Sequence, residues 1–238
     1  MASQGKRPVA VVVGVGPGLG AALARRFAAE YRVALVARSE DYLATLAKEI
    51  SAAVGETCPS PAIAASAEEI SRAFDTIRRE LDPHEALVYN AAMRPLGRLM
   101  ETKPSTFENT WRVCALGAFL CSREVVPDML KRGKGVILFT GATAGIKPFA
   151  TSAAFGPAKF AMRGLAQSLA RDLGPKGIHV AWINVDGSID IPGRKVGNYT
   201  SEDMLSPDAI AETYWHLAHQ DRSAWTMELE VRPFKEKF

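Results

Sequence analysis

The strongest constraint on this chain is a rhythm that runs through all 238 residues: short apolar runs rich in Val and Ile alternate with longer amphipathic stretches. An apolar run without polar alternation is buried on both faces, as a strand inside a parallel sheet is. The amphipathic stretches between such runs are helices laid over that sheet. The runs predict strands at Pro8 to Gly14, Arg32 to Ala37, Pro61 to Ala65, Ala86 to Asn90, Gly135 to Thr140, His179 to Asn184 and Met227 to Val231. Helices are predicted from Leu19 to Glu30, Asp41 to Val54, Glu68 to Leu81, Ser105 to Lys131, Ala158 to Leu173 and Ala209 to His219. Right-handed crossovers turn this order into a doubly wound sheet, with ligands beyond the carboxyl ends of the strands. No repeat, low-complexity tract or long linker interrupts it, so residues 1–238 read as a single α/β domain.

Composition removes several function classes. With 47% hydrophobic and 23% charged residues the chain can build a large core. The net charge is only +3, and the densest basic cluster, Lys131, Arg132 and Lys134, reads as a solvated helix end. Neither nucleic acid nor a membrane surface is expected as a partner. Cys58, Cys114 and Cys121 are too few and too irregular for a disulfide framework, and Cys114 and Cys121 fit core packing. The segment Met1 to Pro8 has no apolar signal core, and no run approaches about 18 apolar residues, so a cytoplasmic location is expected. His216 and His219 share a helix face without a carboxylate or cysteine nearby in sequence, and no metal site is expected.

Between the first strand and the first helix lies Gly14-Val15-Gly16-Pro17-Gly18-Leu19-Gly20. Glycines there permit a tight turn and let backbone approach a pyrophosphate, which the free N–H groups and positive end of the helix then hold. The second strand ends in Val36-Ala37-Arg38-Ser39. Sites for NAD place a carboxylate at that point, to accept from the ribose hydroxyls. Arg38 with Ser39 instead suits a 2′-phosphate, so NADP(H) is expected over NAD(H).

Together these residues resemble the short-chain dehydrogenase/reductase family, from about Pro8 to Val231. The resemblance implies a Rossmann fold and an oxidoreductase that binds a nicotinamide cofactor. The family's TGxxxGxG loop appears as Val13, Gly14, Gly18 and Gly20, and its NNAG motif as Tyr89-Asn90-Ala91-Ala92. The resemblance implies cofactor contacts from Gly14, Gly16, Gly18, Leu19, Gly20, Arg38, Ser39, Asn90, Ala91, Lys159, Gly187 and Ile189. The family's PG motif after the sixth strand is Asp186-Gly187 here, and its following Thr is Ile191. The segment Thr140 to Gly145, then Phe155-Gly156-Pro157-Ala158-Lys159, has the spacing of the family's Ser motif followed by YxxxK. Its chemistry differs. Ala142 stands where the family has the substrate-orienting Ser, Phe155 where it has the catalytic Tyr, and Cys114 where it has a catalytic Asn. Of that group of four, Lys159 alone is retained.

Two functions stay open on this reading. One is an NADP(H)-dependent oxidoreductase on a small carbonyl or alcohol, with an atypical proton source such as water, Thr143 or Tyr199. The other is a catalytically silent NADP(H)-binding module, a sensor or partner subunit. Arg94, Arg194 and Lys195 lie in loops near the expected cleft and are candidates for an anionic substrate. The long helix from Ser105 and the helix carrying Lys159 have apolar residues to spare, including Trp111, Phe119, Phe160 and Met162. In the resembling family those helices pair across a two-fold axis, so a homodimer or homotetramer is expected.

Overall fold

The computed structural model describes residues 7–235, so most of the segment Met1 to Pro8 lies outside the described residues. Seven strands form one parallel sheet: β1 (Val9–Val13), β2 (Arg32–Val36), β3 (Thr57–Pro59), β4 (His84–Tyr89), β5 (Gly135–Thr140), β6 (Ile178–Val185) and β7 (Glu228–Val231). Their spatial order is β3-β2-β1-β4-β5-β6-β7, so the chain reverses direction across the sheet between β1 and β4. That reversal parts the connecting loops and opens a crevice at the carboxyl ends of the strands.

All five residues of β1 are buried, because helices cover both faces. Ala10 and Val12 face a core completed by α1 (Leu19–Ala28), α2 (Glu40–Ala53) and α7 (Pro207–Ala218), with Phe27, Leu43 and Tyr214 at its centre. Val9, Val11 and Val13 face a second core from α3 (Ala67–Leu81), α5 (Gly117–Arg132) and α6 (Phe155–Leu173), which includes Phe74, Met129 and Trp182. Each large side chain so buried contributes about 1.5–3 kcal/mol.

Three expectations need correction. The third strand is Thr57–Pro59, and residues 61–65 form a loop instead. β3 is an edge strand anchored by buried Cys58, and Pro59 and Pro61 deprive its continuation of two donors. The long helix from Ser105 is divided: α4 (Pro104–Trp111) passes through one π turn, Arg112–Leu116, into α5. Met162, expected as a spare apolar residue, is fully buried in the second core. In addition, α6 starts at Phe155, three residues before the predicted start, so Phe155 occupies its first turn.

Candidate active site

A cleft of about 730 Å³ lies over the carboxyl ends of β1, β2, β4, β5 and β6. Its first half is made by the glycine loop. Gly14 (φ +89°) donates its N–H to Val36 O at 2.8 Å, and a Cβ there would lie 2.4 Å from the backbone N of Ala91. A Cβ at Gly20 would lie 2.4 Å from the Gly14 carbonyl oxygen, so glycine at both positions lets α1 press onto the loop. Asn90 Nδ2 donates to Gly14 O at 3.0 Å and ties the end of β4 to this turn. The first turn of α1 has neither a side-chain cap nor an acidic residue, so its positive end is uncompensated by protein. Beside it Arg38 stands exposed at the end of β2, and among the described residues its guanidinium has no ion-pair or hydrogen-bonding partner.

The second half lies over β5 and the start of α6. Lys159 is buried, and its Nζ donates to Thr140 O at 2.7 Å while sitting 5.6 Å from the centre of the Phe155 ring. Burial pulls the Lys159 ammonium below its usual pKa of 10.5, because no carboxylate stands near enough to offset lost hydration. Phe155 lines the cleft and packs in an apolar cluster with Cys114, Ala144 and Ala158, against which Ala142 is also laid. The three residues at the resemblance's Asn, Ser and Tyr positions thus share one apolar patch. Among the described residues Cys114 Sγ donates only to the Met93 carbonyl, at 3.9 Å.

Thr143 lines the cleft, and its hydroxyl donates to Oδ1 of the buried Asp186. The other carboxylate oxygen of Asp186 lies 3.0 Å from Arg232 Nη2 and 3.9 Å from Lys147 Nζ. A threonine hydroxyl carries one proton. With that proton on Asp186, Thr143 presents lone pairs to the cleft and acts there as an acceptor. Tyr199 also lines the cleft, half-exposed, in the loop between β6 and α7. That loop is closed at its base, where Leu205 N donates to Ser188 O and Asp190 N to Leu205 O, both at 2.8 Å.

Of the residues singled out in the sequence, Gly14, Gly16, Leu19, Gly20, Arg38, Asn90, Ala91, Ala142, Thr143, Phe155, Lys159, Gly187, Ile189 and Tyr199 all border this cleft, as do Arg94 and Arg194. Gly18, Ser39, Cys114 and Lys195 do not. Gly18 lies beneath the Ile191 side chain, Ser39 sits at the N-terminus of α2, and Cys114 is behind Phe155. Asp186 was missed as a partner of Thr143. Its signal was a carboxylate directly after an apolar strand, at the point where the resembling family carries Pro.

The model of the short chain dehydrogenase family matches residues 8–190. Sorbitol-6-phosphate 2-dehydrogenase of Escherichia coli K12 is 32% identical over 215 residues, 87% of this chain and 82% of that protein. The crystal structure of a short-chain dehydrogenase from Rhodopseudomonas palustris superposes with a TM-score of 0.83 at 35% identity, covering 95% of this chain and 99% of that one. A metagenomic short-chain oxidoreductase solved in complex with NADP superposes with a TM-score of 0.84 at 28% identity, covering 97% and 99%.

Proposed function

Because this chain belongs to the short-chain dehydrogenase family, we propose that it is an NADP(H)-dependent oxidoreductase that interconverts a small carbonyl compound and its alcohol, with Lys159 carrying the proton. The observation that carries the reading is the charge of the cleft: Arg38, Arg94, Lys159 and Arg194 line it, and among the described residues no Asp or Glu does. A dinucleotide phosphate is the kind of ligand such a lining fits. Arg38 would pair its 2′-phosphate, and the α1 N-terminus and glycine loop its pyrophosphate. Asn90, Ala91 and the Gly187 to Ile189 backbone would border the rest. When bound, the nicotinamide supplies or accepts the hydride. The metagenomic relative was solved with NADP, and the Escherichia coli relative is named for a sugar-alcohol phosphate.

Two groups bordering the cleft could carry the proton, the half-exposed Tyr199 phenol and Lys159, and the buried place of Lys159 over β5 favours it. Phe155 and Ala142 have none to give, and the proton of Thr143 is engaged by Asp186. A guanidinium in a protein does not act as a proton donor of this kind. Lys159 is an acid whose pKa burial has lowered, and among the described residues Thr140 O accepts just one of its hydrogens. Reduction would need the ammonium form, so its rate should fall as pH rises through the depressed Lys159 pKa, below 10.5. The test follows NADPH absorbance over a panel of aldehydes, ketones and phosphorylated ketoses. Lys159→Met should cost about 10²–10⁴ in rate. A mutant that keeps its rate and pH profile would overturn the assignment.

One observation favours a second reading, that of a silent NADP(H)-binding module. The apolar packing of Phe155, Cys114, Ala144 and Ala158 looks like a site converted to core. Tight NADPH binding without oxidation by any member of the panel, at any pH, would select it.

A further inference from the structure

The cofactor reading counts Arg94 in the charge of the cleft but gives it no group of the cofactor to hold. It lies in the loop that leaves β4, beyond Asn90 and before Pro95, and it borders the cleft. That loop is pinned away from the Arg38 end. Gly97 N donates to Thr151 O at 2.8 Å and Ala153 N to Gly97 O at 3.3 Å, which fastens it to the segment leading into α6. That segment carries Phe149 and Phe155, and both border the cleft. Arg38 stands instead at the end of β2, two strands away across β1, a separation of roughly 10 Å in the sheet. The two arginines therefore serve different parts of any ligand.

Arg94 is also uncompensated. Arg194 spends one donor on Ile189 O at 2.7 Å, and Lys159 one on Thr140 O at 2.7 Å. Among the described residues the guanidinium of Arg94 has no hydrogen-bond or ion-pair partner, and the cleft wall offers it no carboxylate. Arg94 is exposed at the rim of the cleft, where it can meet an anionic group entering from solvent. A guanidinium fork matches two oxygens of a phosphate or carboxylate.

Building on the cofactor reading, we propose that the substrate carries an oxyanion group, a phosphate monoester or a carboxylate, and that Arg94 is the specificity residue that pairs with it. Thr143, an acceptor toward the cleft, meets a hydroxyl of the same molecule. The substrate class is then a hydroxylated acid or a sugar-alcohol phosphate, and neutral analogues bind poorly.

The test uses the full chain, with and without saturating NADPH, titrated calorimetrically with glycerol 3-phosphate, glycerate and glycerol. Wild type should bind one or both anions and not glycerol. The stronger of the two identifies phosphate or carboxylate as the natural group. Arg94→Gln should weaken anion binding at least tenfold, Arg94→Lys should restore part of it, and Lys195→Gln, a charge removed outside the cleft, should leave it unchanged. The proposal is overturned if no anion binds, if glycerol binds equally, or if Arg94→Gln and Lys195→Gln have the same effect. Arg94-dependent anion binding in a protein that fails to bind NADPH would sink the cofactor reading and leave this subsite standing.

Discussion

Phe155 borders the cleft with its ring 5.6 Å from the Lys159 ammonium, at the position where the sequence spacing leads one to expect a phenol. A hydroxyl added to that ring would meet a cation able to lower its pKa. Phe155→Tyr together with Ala142→Ser should therefore raise carbonyl reduction with NADPH by about 10²-fold or more. Replacing Lys159 by Ala in that double variant should remove the gain. A new hydroxyl left without a partner costs about 1–3 kcal/mol, so the folding midpoint is measured alongside. No gain in rate by a folded variant that binds NADPH would mean that the patch of Phe155, Cys114 and Ala142 closes the cleft to carbonyls. The identities at 142, 155 and 159 were legible from spacing alone. The commitment of the Thr143 proton was not, because Asp186 lies 43 residues away and only the fold brings them together.

The π turn between α4 and α5 places Cys114 behind Phe155, and it is held open by a tertiary contact. Tyr89, the last residue of β4, donates its hydroxyl to Val113 O at 2.5 Å, taking a carbonyl inside the widened turn. Tyr89→Phe removes the donor from that part-buried carbonyl and leaves a gap at a buried ring, and it should cost about 1–3 kcal/mol of stability. For a chain of this size that is a fall of about 2–12 °C in Tm. An unchanged midpoint in thermal denaturation would show that the turn stands without it. Nothing in the local sequence marks this turn: α-helical periodicity runs straight through it, and a donor from another element decides it. The third strand escaped for a similar reason, since the apolar run at 61–65 borders the cleft as a loop, with Ala62 N donating to Ala37 O at 3.0 Å. β1, β2, β4, β5 and β6 were readable because a strand covered on both faces must be largely apolar, and β7, an edge strand, because Leu229 and Val231 alternate with Glu228 and Glu230.

At the scale of the whole molecule, Phe107, Trp111 and Phe119 on the α4–α5 rod and Phe160 on α6 each remain about two-fifths exposed. Large aromatics gathered on adjacent helices suit an isologous contact, which needs roughly 600–1,000 Å² per partner to be stable. Light scattering should give a dimer or tetramer of the 25.7 kDa chain, and Trp111→Glu with Phe160→Glu should shift it toward monomer. A concentration-independent monomer in the wild type would end that expectation. Among the described residues no helix is long and apolar enough to cross a membrane. Our proposal that the cleft takes a nicotinamide dinucleotide with a 2′-phosphate is tested most directly by one titration. NADPH and NADH are each titrated into wild type and Arg38→Asp, with binding read by calorimetry. NADPH should bind wild type at least tenfold more tightly than NADH, a difference of about 1.4 kcal/mol or more, and Arg38→Asp should erase or reverse that preference. Equal affinities in the wild type, or no binding of either, would contradict the account.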